Sequence, residues 1–390
     1  MDILLEALDT ASATDRETYR PEFFRLHDPK DRVRLNDLLK ERTGISVHDE
    51  LHGQLAELVR VLNPSERFTK EELKVAARAH LNGTDPIEYG VWVYYPWSKR
   101  LVHLLDETEF ARVRTDRNRN KITTEEQATL ATKKVGVIGL SVGQSVSLTM
   151  ALERSFGEIR LADFDTLELS NLNRIRSGVE RMGINKAVNT AREIAELDPF
   201  LNVTCFTNGI TKENIEGFLT AGGKLDLLVE ECDSVDVKVI ARIRAKALGI
   251  PVIMDTSDRG LIDVERFDLD PERPIIHGAL NDIDPQLFHG PLTPLQKYEY
   301  IMKMVDPTAL SDRMKASLPE IGRTVLTWPQ LGGHVVLGGA LASEVGRKIL
   351  TKEMDHSGRW YIDLDELFKP HRSTVPSSQT PSGENSSPTI

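Results

Sequence analysis

Cysteine is nearly absent from this 390-residue chain, which carries only Cys205 and Cys232. Two thiols cannot build a disulfide framework or supply a C-x-x-C pair, so a reducing compartment and no structural zinc are expected. Long hydrophobic runs are missing as well. No stretch approaches the roughly 20 apolar residues of a membrane span, and the opening M-D-I-L-L-E-A-L-D is acidic and lacks the basic flank of a signal peptide. These absences predict a cytoplasmic protein with no membrane partner. Positive charge is in deficit: 49 Lys and Arg against 60 Asp and Glu give a net charge of −11. That balance argues against a nucleic acid, whose phosphate backbone calls for a broad basic surface. No internal repeat is found. What the chain does have is 40% hydrophobic content, enough to bury a core divided over two or three domains.

Composition shifts along the chain divide it. Residues 1–116 alternate charged, helix-like stretches such as E-E-L-K-V-A-A-R-A-H with one β-like run, V-W-V-Y-Y-P-W, and are expected to form a small α+β domain of unknown role. From Lys133 to about Ile262, short apolar runs alternate with helical ones: K-V-G-V-I-G, E-I-R-L-A-D, N-V-T-C-F, D-L-L-V-E and I-P-V-I-M-D. Strands alternating with helices predict an α/β fold with a Rossmann-like, mostly parallel sheet covered by helices on both faces. This second domain is expected to span 117–368, with a helical and loop insertion at 265–321 that includes the amphipathic stretch L-Q-K-Y-E-Y-I-M-K-M-V and could serve as a lid or partner surface. Residues 369–390 have almost nothing to bury and are expected to be a disordered tail.

Chemistry concentrates where the alternating pattern begins. In K-V-G-V-I-G-L-S-V-G-Q-S-V-S-L-T-M a strand runs through a tight turn into a helix, and glycines at such a turn let the backbone approach a phosphate at the helix N-terminus. Gly139 and Gly143 would form the turn, although Ser141 and Gln144 stand where G-x-G-x-x-G would have glycines. Asp163, at the end of the next expected strand, stands where a carboxylate accepts hydrogen bonds from ribose hydroxyls. The plainer role for Asp163 and Asp165 is to cap the following loop. These two elements point to a nucleotide without separating ATP from a nicotinamide cofactor.

Arg174, Lys186 and Asp233 make that separation. Attack at the α-phosphorus of a triphosphate develops more charge than a bound pyrophosphate bridge and calls for cations and magnesium. Arg174 can clamp phosphate oxygens with its planar fork, Lys186 opens a helix as a mobile point charge, and Asp233 at a strand end offers a hard oxygen to Mg2+. Taken singly, each could be an ordinary solvated surface charge. Their joint placement around one crevice carries the reading.

The run L-A-D-F-D-T-L-E-L-S-N-L-N-R, followed by G-I-N-K and V-E-E-C-D-S, resembles the ThiF/MoeB/HesA superfamily of adenylyltransferases, which includes the ubiquitin-activating E1 enzymes. The resemblance runs from about Arg117 to Leu350, and P-Q-L-G-G-H-V-V-L-G-G-A-L-A-S-E-V-G-R-K-I-L resembles the family's late small-residue helix. Within the superfamily the chain looks most like the actinobacterial ThiF-like proteins in which a nitroreductase-like domain can follow. The resemblance implies an ATP-dependent enzyme that joins a substrate carboxylate to adenylate and releases pyrophosphate. It implies Asp163 at the ribose, Asn171, Arg174 and Lys186 at the phosphates, and Asp233 at magnesium, with Gly139, Ser141, Gly143 and Asp165 lining the nucleotide. It further implies a homodimer, because R-N-R-N-K-I-T-T-E-E-Q is similar to the segment whose arginine, here Arg119 with Arg117 as second choice, reaches into the partner's ATP site.

The sequence departs from the family in three places, the first being that the zinc-binding cysteine pairs of many members are missing. Its glycine loop reads G-L-S-V-G-Q rather than G-x-G-G-x-G, and no cysteine follows Cys232 to accept an activated acyl group. Cys232 itself reads as a small buried hydrophobe. Two alternatives therefore stay open: a non-catalytic scaffold on the same fold, and an NAD-dependent oxidoreductase. Candidate substrates are the C-terminus of a ubiquitin-like or sulfur-carrier protein, another peptide, a small acid or a modified nucleoside carboxylate.

Overall fold

A computed structural model of the chain describes residues 15–282 and 292–369. The tail expected at 369–390 falls outside these except for Lys369, as do residues 283–291 of the expected insertion. Two sheets organise the chain. Strands β1 (Glu22–Phe24), β2 (Ser46–Asp49), β3 (Val91–Tyr95) and β4 (Arg100–Leu104) form the smaller one in the order β1-β3-β4-β2. All five residues of β3 are buried, which is why V-W-V-Y-Y reads so clearly as a strand. Its neighbours do not read so clearly: β1 has three residues, and every residue of β2 is exposed. Val93, Tyr95 and Leu104 pack toward Ala195 and Phe200, and Trp97 donates to Glu196, so this sheet rests on the end of a helix of the larger unit.

The larger sheet has seven strands. They are β5 (Lys134–Ile138), β6 (Glu158–Ala162), β7 (Asn202–Phe206), β8 (Leu227–Glu230), β9 (Val252–Thr256), β10 (Leu261–Glu265) and β11 (Gly358–Tyr361). Their order is β11-β10-β9-β8-β5-β6-β7, with β5 to β9 paired in parallel and β10 and β11 added antiparallel at one edge. The parallel strands are mostly apolar because both of their faces are covered. The expected mostly parallel α/β sheet is thus present, with an antiparallel edge that was not foreseen. Asp263 and Glu265 disguise β10. Both are buried, and they are matched by Arg359 at 2.6 Å and Arg242 at 2.6 Å.

The strand order decides where a ligand can sit. The chain moves outward from β5 through β6 to β7, then returns to the other side of β5 for β8. Between β5 and β8 the order reverses, and loops at the carboxyl ends of the two strands splay apart to leave a crevice. One helix, Gly143–Glu153, starts directly after β5, and another, Val235–Leu248, starts shortly after β8. The Gly332–Leu350 helix packs tightly on the first; a Cβ on Gly339 would lie 2.3 Å from the Ser145 hydroxyl. Its run of small residues serves that close approach.

Candidate functional site

The turn leaving β5 is fixed by Gly139. Its φ of +84° is a left-handed value, and a Cβ there would lie 2.7 Å from the backbone of Cys232, so the loops after β5 and β8 touch at this residue. Asp163 holds the same turn from the other side. Its carboxylate accepts from the Leu140 N–H at 2.7 Å and from the Asp165 N–H at 2.9 Å. Burial raises its pKa, while the Leu140 N–H and the Lys186 charge oppose the rise. Asp163 therefore does cap the local loop as well as standing at the crevice.

Around that turn lies a cavity of about 350 Å3, within the range of small-molecule sites, which run from about 300 to 1,000 Å3. Gly139, Ser141, Asp163, Asp165, Asn171 and Arg174 line it, and Lys186 and Asp233 complete its wall. Eight of the ten site residues expected from the sequence thus meet in one place. Lys186 opens the Lys186–Leu197 helix, is largely buried, and pairs with Asp165 at 2.9 Å. The Asn171 carbonyl oxygen accepts from the Glu168 N–H at 3.0 Å, which leaves its amide nitrogen as the donor. Asp233 follows β8 and is exposed. Burial lowers the Arg174 guanidinium, and the nearby Asp233 carboxylate opposes that shift.

Ser141 and Gln144 have specific partners. Arg174 Nε donates to Ser141 Oγ at 3.0 Å, and a second guanidinium nitrogen donates to Asn173 Oδ1 at 2.8 Å. The Gln144 side chain accepts from Arg176 N–H and donates to Arg176 C=O, each at 3.0 Å, and donates to Glu193 at 2.8 Å. The two residues that break the glycine pattern therefore hold the loop that carries Arg174.

Two expected residues lie elsewhere. Gly143 does not line the cavity: it is buried at the start of its helix, where a Cβ would sit 2.7 Å from Val137 Cγ1, so its smallness serves helix–strand packing. Arg119 is exposed and pairs with Asp116 at 3.5 Å. Neighbouring Asn118 bonds the Glu153 carbonyl at 3.1 Å, at the far end of the 11-residue helix whose start faces the cavity. That helix is about 16 Å long, so Arg119 does not complete the site of its own chain. Sequence reasoning also missed Phe164, Gly209 and Ile210, which form an apolar side of the cavity, and Glu231, buried on its floor. Phe164 is 70% exposed and stands between Asp163 and Asp165, so its place in D-F-D was the available signal.

No group of three or more His, Cys, Asp or Glu able to hold a metal ion occurs among the described residues. Magnesium does not require one. It keeps several waters and binds through one or two carboxylates plus nucleotide phosphates, a role the exposed Asp233 beside two cations can fill. Among the described residues no helix is long and apolar enough to cross a membrane.

A parallel sheet with this crevice and set of charges defines a nucleotide-binding α/β protein. Residues 115–285 match the model of the ThiF family. The uncharacterized protein MT1398 of Mycobacterium tuberculosis (strain CDC 1551 / Oshkosh) is 43% identical over 347 residues, 88% of this chain and 46% of that protein. Ubiquitin-like modifier-activating enzyme 5 of Drosophila willistoni is 22% identical over 50% of this chain and 46% of its own length. The chain spans about half the length of these curated relatives. Among solved structures, the E. coli tRNA N6-threonylcarbamoyladenosine dehydratase TcdA in complex with AMP has a TM-score of 0.44 and 18% identity, over 62% of this chain and 96% of that one.

Proposed function

We propose that the protein is an ATP-dependent adenylyltransferase that activates a substrate carboxylate as an acyl-adenylate. The observation that carries the reading is the convergence of Asp163, Asn171, Arg174, Lys186 and Asp233 on one cavity at the reversal of strand order. A carboxylate oxygen of the substrate attacks the α-phosphorus, the bond to the β-phosphate oxygen breaks, and pyrophosphate leaves. No protein nucleophile is required, in keeping with Cys232, whose thiol is pushed well above its usual pKa by burial.

Each side chain has a task in that reaction. Asp163 offers its remaining lone pairs to the ribose hydroxyls while holding the β5 turn. Arg174, aimed by Ser141, and the Asn171 amide donate to phosphate oxygens. Lys186 exchanges its Asp165 partner for a phosphate oxygen, bringing positive charge to where negative charge develops. Asp233 would hold Mg2+, which supplies Lewis-acid neutralisation of phosphate charge. Phe164, Gly209 and Ile210 offer an apolar platform to the base.

The 43% identity to the mycobacterial protein supports grouping this chain with the actinobacterial ThiF-like proteins. A homodimer with Arg119 completing the partner's site belongs to the same proposal, as does a substrate drawn from carrier-protein C-termini, peptides or small acids. Calorimetry with ATP, with and without Mg2+, tests the reading. Magnesium-dependent ATP binding with negligible NAD binding is expected, and tight NAD binding without ATP binding would replace the adenylyltransferase with an oxidoreductase.

A further inference from the structure

The nucleotide cavity shares a wall with a second one. Glu231, Cys232 and Asp233 border both, so the second cavity opens beside Asp233, the residue proposed to hold Mg2+. It is apolar, lined by Met254 and Leu261 from the sheet edge, Ile301 and Met304 from the Pro294–Val305 helix, and Leu310 and Trp328 beyond that helix. Its space is about 180 Å3. An apolar protein cavity of about 150 Å3 stays dry and accepts a benzene molecule, which sets the scale of what fits.

Charges around this cavity fix the orientation of an occupant. Lys238 and Arg242 border it but are committed behind the wall, Lys238 to Glu230 at 3.0 Å and Arg242 to Glu230 and Glu265. Among the described residues that line it, a carboxylate would find no uncommitted cation, whereas Arg174 and Lys186 face the adjoining nucleotide cavity. The apolar cavity is also not a dead end. It shares Ser257, Asp258, Met314 and Pro329 with a more polar groove, through which the rest of a longer substrate can leave.

We propose that this cavity receives an apolar side group of leucine to phenylalanine size, borne within a few atoms of the carboxylate that is activated next door. The inference rests on the adenylation reading and adds a substrate class to it. A carboxylate borne on glycine would leave the cavity unfilled and forfeit the contacts of its lining. Three of the lining residues, Met254, Met304 and Met314, are unbranched thioethers that adapt to aliphatic or aromatic occupants alike.

The test uses the full chain with labelled methionine methyl groups, Mg2+ and a non-hydrolysable ATP analogue, titrated with N-acetyl-leucine, N-acetylphenylalanine and N-acetylglycine. The two apolar acids are expected to bind at least about tenfold more tightly than the glycine acid, as burial of a leucine-sized group implies. They should also shift the methyl signals of Met254, Met304 and Met314. Ile301→Trp, which fills the cavity from a half-buried position, should abolish that preference while ATP-analogue binding is kept, and Leu310→Trp gives a second filling variant. Equal affinities for the three acids, shifts confined to other methionines, or no binding of the apolar acids while the analogue binds would each overturn the inference alone. Failure of the analogue to bind wild-type protein would overturn the adenylation reading and this inference with it.

Discussion

Replacing Ser141 by glycine would bring the β5 turn closer to the family's glycine pattern, and we expect it to weaken the protein's hold on ATP. The Ser141 hydroxyl accepts from Arg174 Nε at 3.0 Å and is one of two side-chain groups that aim the guanidinium, the other being Asn173 Oδ1. A hydrogen bond to a charged group is worth about 1.5–3 kcal/mol when buried. Arg174 is only half-buried, so about 1 kcal/mol is the appropriate figure. Glycine adds about 0.5 kcal/mol through the greater freedom of the unfastened turn. Together these predict a loss of roughly tenfold in ATP affinity and in pyrophosphate exchange, taking 1.4 kcal/mol as tenfold. Calorimetry and exchange kinetics measure both, and a thermal melt checks that the fold survives. The cycle with Arg174→Ala isolates the cause: in that background only glycine's share remains, and Ser141→Gly should change affinity by no more than about two- to threefold. If Ser141→Gly binds ATP as well as wild type or better, the serine is a decayed glycine and the positioning argument is wrong.

Further outcomes follow from other residues. Asp233→Asn should fold normally yet lose magnesium dependence and exchange activity, because the amide keeps the shape without the charge; full exchange by the variant would remove Asp233 from the site. Burial pushes Glu193 to about 7, so the folded state binds its proton more tightly than the unfolded chain, and the stability this contributes is present at pH 4 and lost as pH rises through 7. Glu193→Gln should therefore gain melting temperature relative to wild type between pH 5 and pH 8, and a pH-independent difference would contradict that. Arg119→Ala and Lys186→Ala, each inactive alone, should regain activity when subunits are mixed, since one site of the mixed dimer then carries both wild-type residues; confirmed heterodimers without activity would end the shared-site proposal.

The parts of the fold that were legible in the sequence are those whose physics is local. Strands β5, β6, β7, β8 and β9 are short apolar runs because parallel strands are covered on both faces, and each run is bounded by a helix that reads at a different period. β10 has the composition of a loop, L-I-D-V-E, until Arg242, Arg359 and His277 are seen to meet its carboxylates, the last at 2.9 Å. Those partners stand 12 or more residues away, beyond what any window of residues can weigh. β2 failed for a different reason: its residues are all exposed, and only its pairing with β4 makes it a strand.

The site divides in the same way. Asp163 and Asp165 were legible because motif and geometry coincide within a few residues, and Arg174, Lys186 and Asp233 because charges of the right kind stand at strand ends and a helix start, a placement that the resemblance reinforced. Gly143 lies outside the cavity lining, and the sequence could not show this because a glycine that admits a phosphate and a glycine that admits Val137 look identical there; the 2.7 Å approach reveals the packing role. Ser141 lines the cavity, but its contact could not be read from the sequence, since its partner lies 33 residues on. This bears on the scaffold alternative, whose main motive was the altered glycine loop. A loop decaying from disuse would lose its partners one by one. Here both altered positions hold the loop that carries Arg174, one through the guanidinium and one through the Arg176 backbone in both directions. Removing either should disturb the other's effect, so the double variant Ser141→Gly, Gln144→Gly should lose less ATP affinity than the sum of the single losses. Strict additivity would mean that the two substitutions act independently, and the case for a rebuilt rather than abandoned loop would fall.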